Sequence, residues 1–376
     1  MILKTVIISY EFPPRIGGAG IVASDIATAF RKFGQNILII TSYNASIYDF
    51  CTNRIVRESV NGVEVIRLPV IHKCWFLTFP YSLKLNSHFF ESEDIIILND
   101  FGAAFSFSKI KHYSKYRYTL YVHGKESFVV RDKFLQNVVF SFKKRYIDLI
   151  HNAKSVVFVS GFIKQSLLEL VPEVKDNSKF SVVYNSIDED YFDRICISEI
   201  PKDMRLTINT KYTLVTACRL VKGKGFDRKL EIFKHLKNKL KLDISWVIIG
   251  DGEYKSEFSR IVKSFSLDDV HFLGRVERKN LKYYYSQCDL FWMLSAYEEA
   301  YPLVYHEAQA CGLPVMGLNL GGVPEVITKG YGVVVNNNND AIDFITEHYE
   351  GSCYVEPWKN KNNNLKTLYS KLIQII

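Results

Sequence analysis

Short runs of β-branched and aliphatic residues recur along the chain, separated by longer stretches in which apolar positions keep helical spacing. In the first half the runs are TVIIS (5–9), NILIIT (36–41), VEVIRL (63–68), DIIIL (94–98), YTLYV (118–122), SVVFV (155–159) and FSVV (180–183). In the second half they are YTLVTA (212–217), ISWVIIG (244–250), VHFLG (270–274), DLFWML (289–294), LPVMG (313–317) and GVVV (332–335). Continuously apolar strands alternating with helices predict parallel sheets covered on both faces. The pattern restarts near 212, after a polar and irregular stretch. The chain therefore reads as α/β, with two doubly wound Rossmann-like domains placing their ligand groups at the carboxyl ends of strands, facing a cleft. The expected boundaries are 1–190 for the first domain, 191–211 for a linker and 212–355 for the second domain. Residues 356–376 hold a last helix expected to pack back on the first domain.

Composition narrows the class. A chain of 376 residues exceeds one ordinary core, and 48% hydrophobic residues can fill two. Seven scattered cysteines show neither C-x-x-C nor His-rich spacing, which argues against zinc or a disulfide framework and for a reducing, cytoplasmic setting. MILKTVIISY is too short an apolar run for a signal peptide and reads as a first strand. No apolar run approaches the length of a membrane span.

The formal charge of +8 is unevenly spread. Residues 109–154 hold eleven Lys/Arg against three acids, an excess equal to that of the whole chain. Tyr113, Tyr116, Tyr118, Phe128, Phe134, Phe140 and Phe142 are interleaved with them. Such a segment suits an anionic membrane surface or substrate, and equally a solvated helix face whose aromatics enter the core.

Candidate chemistry begins after the first strand. In EFPPRIGGAG, Gly17, Gly18 and Gly20 precede an amphipathic helix expected over 21–33, so the backbone there can approach an anion closely. Gly18-x-Gly20-x-x-Ala23 also matches a dinucleotide fingerprint. Two prolines intervene, however, and the second strand ends IITSYN with no acid, which sets an NAD enzyme aside. In the second half, TACRLVKGKGFDRKLEIF puts Arg219 just past a strand and Lys224 at a helix start, a suitable diphosphate clamp.

Further on, AYEEAYPLVYHEAQACGLPV carries Glu299 and Glu307 eight residues apart. Pro302 fits the first turn of a helix, which leaves Glu299 in the preceding loop and Glu307 inside the helix. The neighbours of Glu307 at helical spacing are Leu303, Val304, Ala310 and Cys311. A carboxylate in that apolar stripe demands a polar partner.

These pieces in this order (PPRIGGAG, YVHG, VVYNSID, CRLVKGKGFD, VIIGDGE, FLGRV, the two-glutamate stretch and GGVPEVI) resemble the family 4, or group 1, glycosyltransferases over about residues 6 to 335. The resemblance implies the two-Rossmann-domain glycosyltransferase B (GT-B) architecture. It also implies retaining, metal-independent transfer of a sugar from a nucleotide diphosphate donor, with no cofactor. On that pattern Glu307 would take the donor ribose hydroxyls and Glu299 the donor sugar. Arg219 and Lys224 would hold the diphosphate with the amides of Leu303 and Val304. The base would lie against main-chain groups at Gly274, Arg275 and Val276. His123 would meet the donor sugar from the first domain, and Gly17 and Gly18 would border the phosphate and the acceptor pocket.

The chain departs from the pattern at Ala300-Tyr301-Pro302, where a Gly-Phe-Gly is common, at YNSID, and beyond 341. The partners so implied are a nucleotide-sugar donor, UDP-sugar favoured, and a saccharide or lipid-linked saccharide acceptor in bacterial surface-polysaccharide assembly. An anionic membrane surface would be met through 109–154, with the protein peripheral on the inner face of the plasma membrane. The competing classes are a catalytically silent nucleotide-sugar binder and a nucleic-acid-binding protein, the latter without a supporting motif. An epimerase or phosphorylase of the same architecture is disfavoured by the motif order.

Overall fold

The computed structural model describes residues 4–15, 17–124, 141–174, 178–188, 191–327, 330–353, 355 and 364–376. The chain forms two compact units, Met1–Ser186 with Asn362–Ile376, and Ile187–Lys361.

The first unit is built on a sheet of eight strands, β1 (Thr5–Ile8), β2 (Ile37–Asn44), β3 (Val56–Val60), β4 (Val63–Val70), β5 (Ile95–Leu98), β6 (Tyr118–Val122), β7 (Ser155–Phe158) and β8 (Phe180–Val182). Their order is β3-β4-β2-β1-β5-β6-β7-β8. Seven strands are parallel, and six of them are largely buried on both faces, as their apolar runs predict, while the edge strand β8 is half-buried. The pattern did not predict β3. It is an exposed edge strand, antiparallel to β4, and its polar sequence buries no face. The signal it did carry is the turn: Asn61 and Gly62 both take positive φ, 51° and 71°, as a tight Asn-Gly hairpin requires.

The second unit holds β9 (Tyr212–Ala217), β10 (Ile244–Ile249), β11 (Val270–Gly274), β12 (Leu290–Met293), β13 (Val315–Leu318) and β14 (Gly332–Val335). All are parallel, in the order β11-β10-β9-β12-β13-β14. Counted from β9 that is 3-2-1-4-5-6, the Rossmann order. Trp246, Trp292, Phe226, Phe233 and Phe258 fill one face of this sheet.

Two stretches differ from their reading in sequence. Residues 191–211 are no free linker but part of the second unit. Phe192 is buried, the Ile195 N–H donates to Ser286 Oγ (3.1 Å) and the Leu206 N–H to Gln287 Oε1 (2.8 Å). Within the basic stretch, Lys125, Arg131, Lys133, Phe128, Phe134 and Phe140 lie outside the described residues. Tyr118 and Phe142 are core residues packed on Phe107 and Phe105, so those aromatics are not available to a surface.

The last helix, Leu365–Ile375, lies against the helix Gly18–Lys32 of the same unit. Tyr369 stacks on Phe33 (4.6 Å), meets Phe30 edge-on and accepts a hydrogen bond from Gln35. Among the described residues no helix is long and apolar enough to cross a membrane.

Candidate active site

β9 and β12 are neighbours from which the chain departs to opposite sides, to β10 and to β13. Doubly wound sheets bind ligands at the carboxyl ends of strands at such a switch point. The loop after β9 carries Arg219 and Lys224, and the loop after β12 carries Glu299.

Glycine lets the two loops touch. Gly225 has φ 71° and ends the first loop at the N-cap of the helix Phe226–Asn238, and a Cβ there would lie 1.8 Å from the Leu294 carbonyl. Gly223, at φ 94°, leaves room for the Tyr297 ring. With the backbones this close, the Ala296 N–H donates to the Gly223 carbonyl (2.7 Å).

Lys224 Nζ then reaches Glu299 Oε1 at 2.5 Å, both side chains mostly covered. Buried Ser295 donates its hydroxyl to the same oxygen at 2.8 Å. From beyond β13, the Gly322 N–H donates to the Glu299 carbonyl (2.7 Å) and holds the loop that bears it. Arg219 is exposed, with no acidic partner among the described residues. It lines a cavity of about 270 Å³ with Val221, Glu253 and Tyr297. Among the described residues, then, Lys224 is engaged by a carboxylate while Arg219 is left to meet an anion.

The second glutamate finds its polar partner elsewhere. Glu307 is 3% exposed, and Arg278 Nε donates to its Oε1 at 2.6 Å. Arg278 comes from the turn after β11, and its guanidinium also lies over Phe192. In sequence, Arg278 sits in a charged stretch, ERKN, that reads as a solvated turn; no periodicity points from it to Glu307.

The helix bearing Glu307 is Leu303–Ala310, and Pro302 occupies its N-cap in an extended conformation rather than the first turn. The first-turn N–H groups of Leu303 and Val304 have no carbonyl four residues back within the helix. Arg275, exposed, and Val276, half-buried, follow Gly274 at the end of β11.

The remaining candidates lie in the first unit. Gly17 is the extended N-cap of the helix Gly18–Lys32, and a Cβ on it would strike the Glu11 carboxylate. Gly18 faces open space. His123, just past β6, sets a ring nitrogen 3.3 Å from Asn99 Oδ1 and stacks on Tyr121. Asn99 in turn donates to Ser9 Oγ and to the Ala19 carbonyl. Beside it Asp100 accepts from Ser9 Oγ and the N–H groups of Glu11 and Ala103, while burial pushes its carboxyl up.

One group had no functional reading in sequence. Lys229 is fully buried, with Nζ 4.3 Å from the Phe226 ring centre and within 6.0 Å of Trp246 and Trp292. Its single hydrogen bond among the described residues is to Thr216 Oγ1, at 3.2 Å. Burial lowers its pKa to about 8.

The described residues contain no group of three or more metal-ligating side chains. The chain's one D-x-D spacing is Asp188-Glu189-Asp190. Asp188 is buried, and the other two fall outside the described residues.

Two units of Rossmann-like topology, with a Lys–Glu pair and an arginine that has no acidic partner among the described residues at a switch point of the second, fit the GT-B architecture, and comparison agrees. Residues 201–348 match the model of the glycosyl transferases group 1, and residues 16–191 that of glycosyltransferase family 4. The chain belongs to the group 1, family 4 glycosyltransferases, and it is an enzyme of the transferase class.

It is 27% identical over 333 residues to the N-acetyl-alpha-D-glucosaminyl L-malate synthase of Bacillus anthracis, covering 84% of this chain and 80% of that one. Its fold matches sucrose-phosphate synthase from Thermosynechococcus elongatus, with a TM-score of 0.77 at 18% identity over 99% of this chain and 98% of that one. It also matches Anabaena HepE in complex with UDP and glucose, with a TM-score of 0.75 at 16% identity over 99% and 98%.

Proposed function

We propose that this enzyme is a retaining, metal-independent glycosyltransferase that moves a sugar from a nucleoside diphosphate donor to a saccharide or lipid-linked saccharide. The observation that carries the reading is the Lys224–Glu299 pair at the β9/β12 switch point, beside Arg219, which has no acidic partner among the described residues. When the donor's C1–O bond breaks, negative charge grows on the departing diphosphate. Arg219, Lys224 and the N–H groups of Leu303 and Val304 stabilise it in place, as preorganised donors do without reorganising. The acceptor oxygen attacks C1 from the face the diphosphate leaves, and its proton passes to a leaving phosphate oxygen. No enzyme nucleophile is required, and the sugar keeps its anomeric configuration.

Glu299 orients the donor sugar's hydroxyls while Ser295 and Lys224 hold its carboxylate in position. Glu307 takes the ribose hydroxyls with Arg278 supporting it, and the base rests along Gly274–Val276. The UDP of the HepE complex supports a UDP-sugar as donor. Exposed Lys111, Lys115, Lys144 and Lys154 of the first unit offer an anionic membrane surface an electrostatic landing. That contact would bring a lipid-linked acceptor of surface-polysaccharide assembly to the enzyme.

The deciding experiment is a panel of UDP-, GDP- and ADP-sugars. Donor-dependent thermal stabilisation, followed by NMR of the product's anomeric proton, tests base, sugar and stereochemistry together. Stabilisation without donor hydrolysis or transfer would leave a silent nucleotide-sugar binder. An inverted product would reject the same-face mechanism.

A further inference from the structure

The first unit holds a second basic cluster that the donor site does not use. It gathers at the carboxyl ends of three adjacent parallel strands. Tyr10 and Arg15 follow β1, Ser42 lies near the end of β2, and His72 follows β4. The guanidinium of Arg15 lies over the Tyr10 ring, 4.4 Å from its centre. It donates to Ser42 Oγ and Tyr10 Oη, both at 3.2 Å, and to His72 Nδ1. Tyr10 Oη is also 2.9 Å from His72 Nδ1, and Ser42 donates onward to the Tyr10 carbonyl (2.8 Å). The same guanidinium nitrogen also lies 3.3 Å from His72 Nε2.

The contrast with a nearby arginine is informative. Arg67, which donates to the Pro13 carbonyl of the same loop, has a carboxylate partner, Glu58, at 2.7 Å. Arg15 has hydroxyls and an imidazole but no acid among the described residues. The neighbouring Asp100 is committed elsewhere, to Ser9 and two backbone N–H groups. A half-buried guanidinium held in place by neutral groups, with N–H donors to spare, matches an oxyanion in charge and in fork geometry.

We infer that Arg15, set by Tyr10, Ser42 and His72, binds an anionic group of the acceptor, a phosphate or a carboxylate. The inference rests on the glycosyltransferase reading above, with the acceptor taken to lie beside Gly17 and Gly18 as the family resemblance implies.

The test is calorimetric titration of the full chain with saturating UDP present, so that the donor's diphosphate site is filled. Glucose 6-phosphate, glucuronate and farnesyl phosphate are the probes, with neutral glucose as control. At least one anionic probe binds saturably and glucose does not. Arg15→Gln weakens that probe about tenfold or more, as loss of a charge-assisted contact does, while UDP affinity stays unchanged. His72→Gln gives a smaller loss in the same direction. The strongest probe distinguishes a free sugar phosphate, a sugar acid and a lipid phosphate.

Glucose binding as well as the anions, no probe binding at all, or binding indifferent to Arg15→Gln would overturn the site. If UDP fails to bind and no donor is turned over, the glycosyltransferase mechanism falls. Arg15-dependent binding of an anionic probe would still be read on its own.

Discussion

Lys224 Nζ and Glu299 Oε1 lie 2.5 Å apart, although 75 residues separate them along the chain. The contact exists because β9 and β12 are hydrogen-bonded neighbours, pairing Val215 with Phe291, so that their exit loops share one edge of the sheet. Each charge fixes the position of the other, and on the proposed mechanism that position is where the diphosphate is met.

Replacing either residue should therefore disable both. Lys224→Ala and Glu299→Gln should each lower turnover about 10²–10³-fold, the scale for losing one preorganised group at developing charge. Because the two act as a unit, the double variant should lose little more than either single one. Transfer rates at saturating donor, measured on variants whose melting temperatures match the parent, check this. A fully additive double variant would separate the two roles.

The Arg278–Glu307 pair predicts a stability effect. Arg278→Ala leaves a nearly buried carboxylate without its cation and should cost about 1–3 kcal/mol, less than a fully buried pair because Arg278 is partly solvated. Urea unfolding measures it. Glu307→Gln, which removes the charge along with its need for a partner, should cost less. The same variant should bind donor about tenfold more weakly if the carboxylate also takes ribose hydroxyls.

Lys229 predicts a pH dependence with a definite sign. Its pKa falls from 10.5 to about 8 on folding, because burial disfavours the charged form. Between those values the unfolded chain binds the proton and the folded chain does not, so this residue's contribution to stability rises as pH increases from 8 towards 10.5. Below 8 both states are protonated and the full penalty of burying the ammonium remains. Lys229→Met should stabilise the protein at pH 7 by about 2–3 kcal/mol, and the difference between the two stability curves should shrink as pH rises above 8. Paired melts of parent and variant from pH 7 to 10 test both statements.

Removing divalent metal should not matter to the chemistry. With cationic side chains and helix N–H groups available to the leaving diphosphate, transfer in excess EDTA should keep the rate seen without it. Loss of activity that returns on adding magnesium or manganese would replace this mechanism with a metal-assisted one.

The parallel strands were legible because a strand buried on both faces has to be apolar at every position. Runs such as TVIIS and YTLVTA carry that signal without help from the rest of the chain. β3 was not, since an exposed edge strand needs no apolar face, and only its Asn-Gly turn marked it. The stretch 191–211 looked like a linker because its anchors are main-chain N–H groups held by Ser286 and Gln287, more than eighty residues away. Lys224 and Glu299 could be named from their positions beside strands and a helix start. Ser295 and Arg278 could not be assigned to their carboxylates, since neither residue type nor local spacing tells which distant loop a side chain will meet.

What the sequence determined by itself was the alternation of elements, two Rossmann-type repeats and the kinds of charged group at their strand ends. These follow from side-chain hydrophobicity and spacing, which are local properties. What only the tertiary structure decided was the pairing of charges. Lys224 goes to Glu299, Arg278 to Glu307, Arg15 to no acid among the described residues, and Lys229 into a ring of aromatics. Strand order sets which loops become neighbours, and an ion pair depends on distances of a few ångströms that no local pattern encodes.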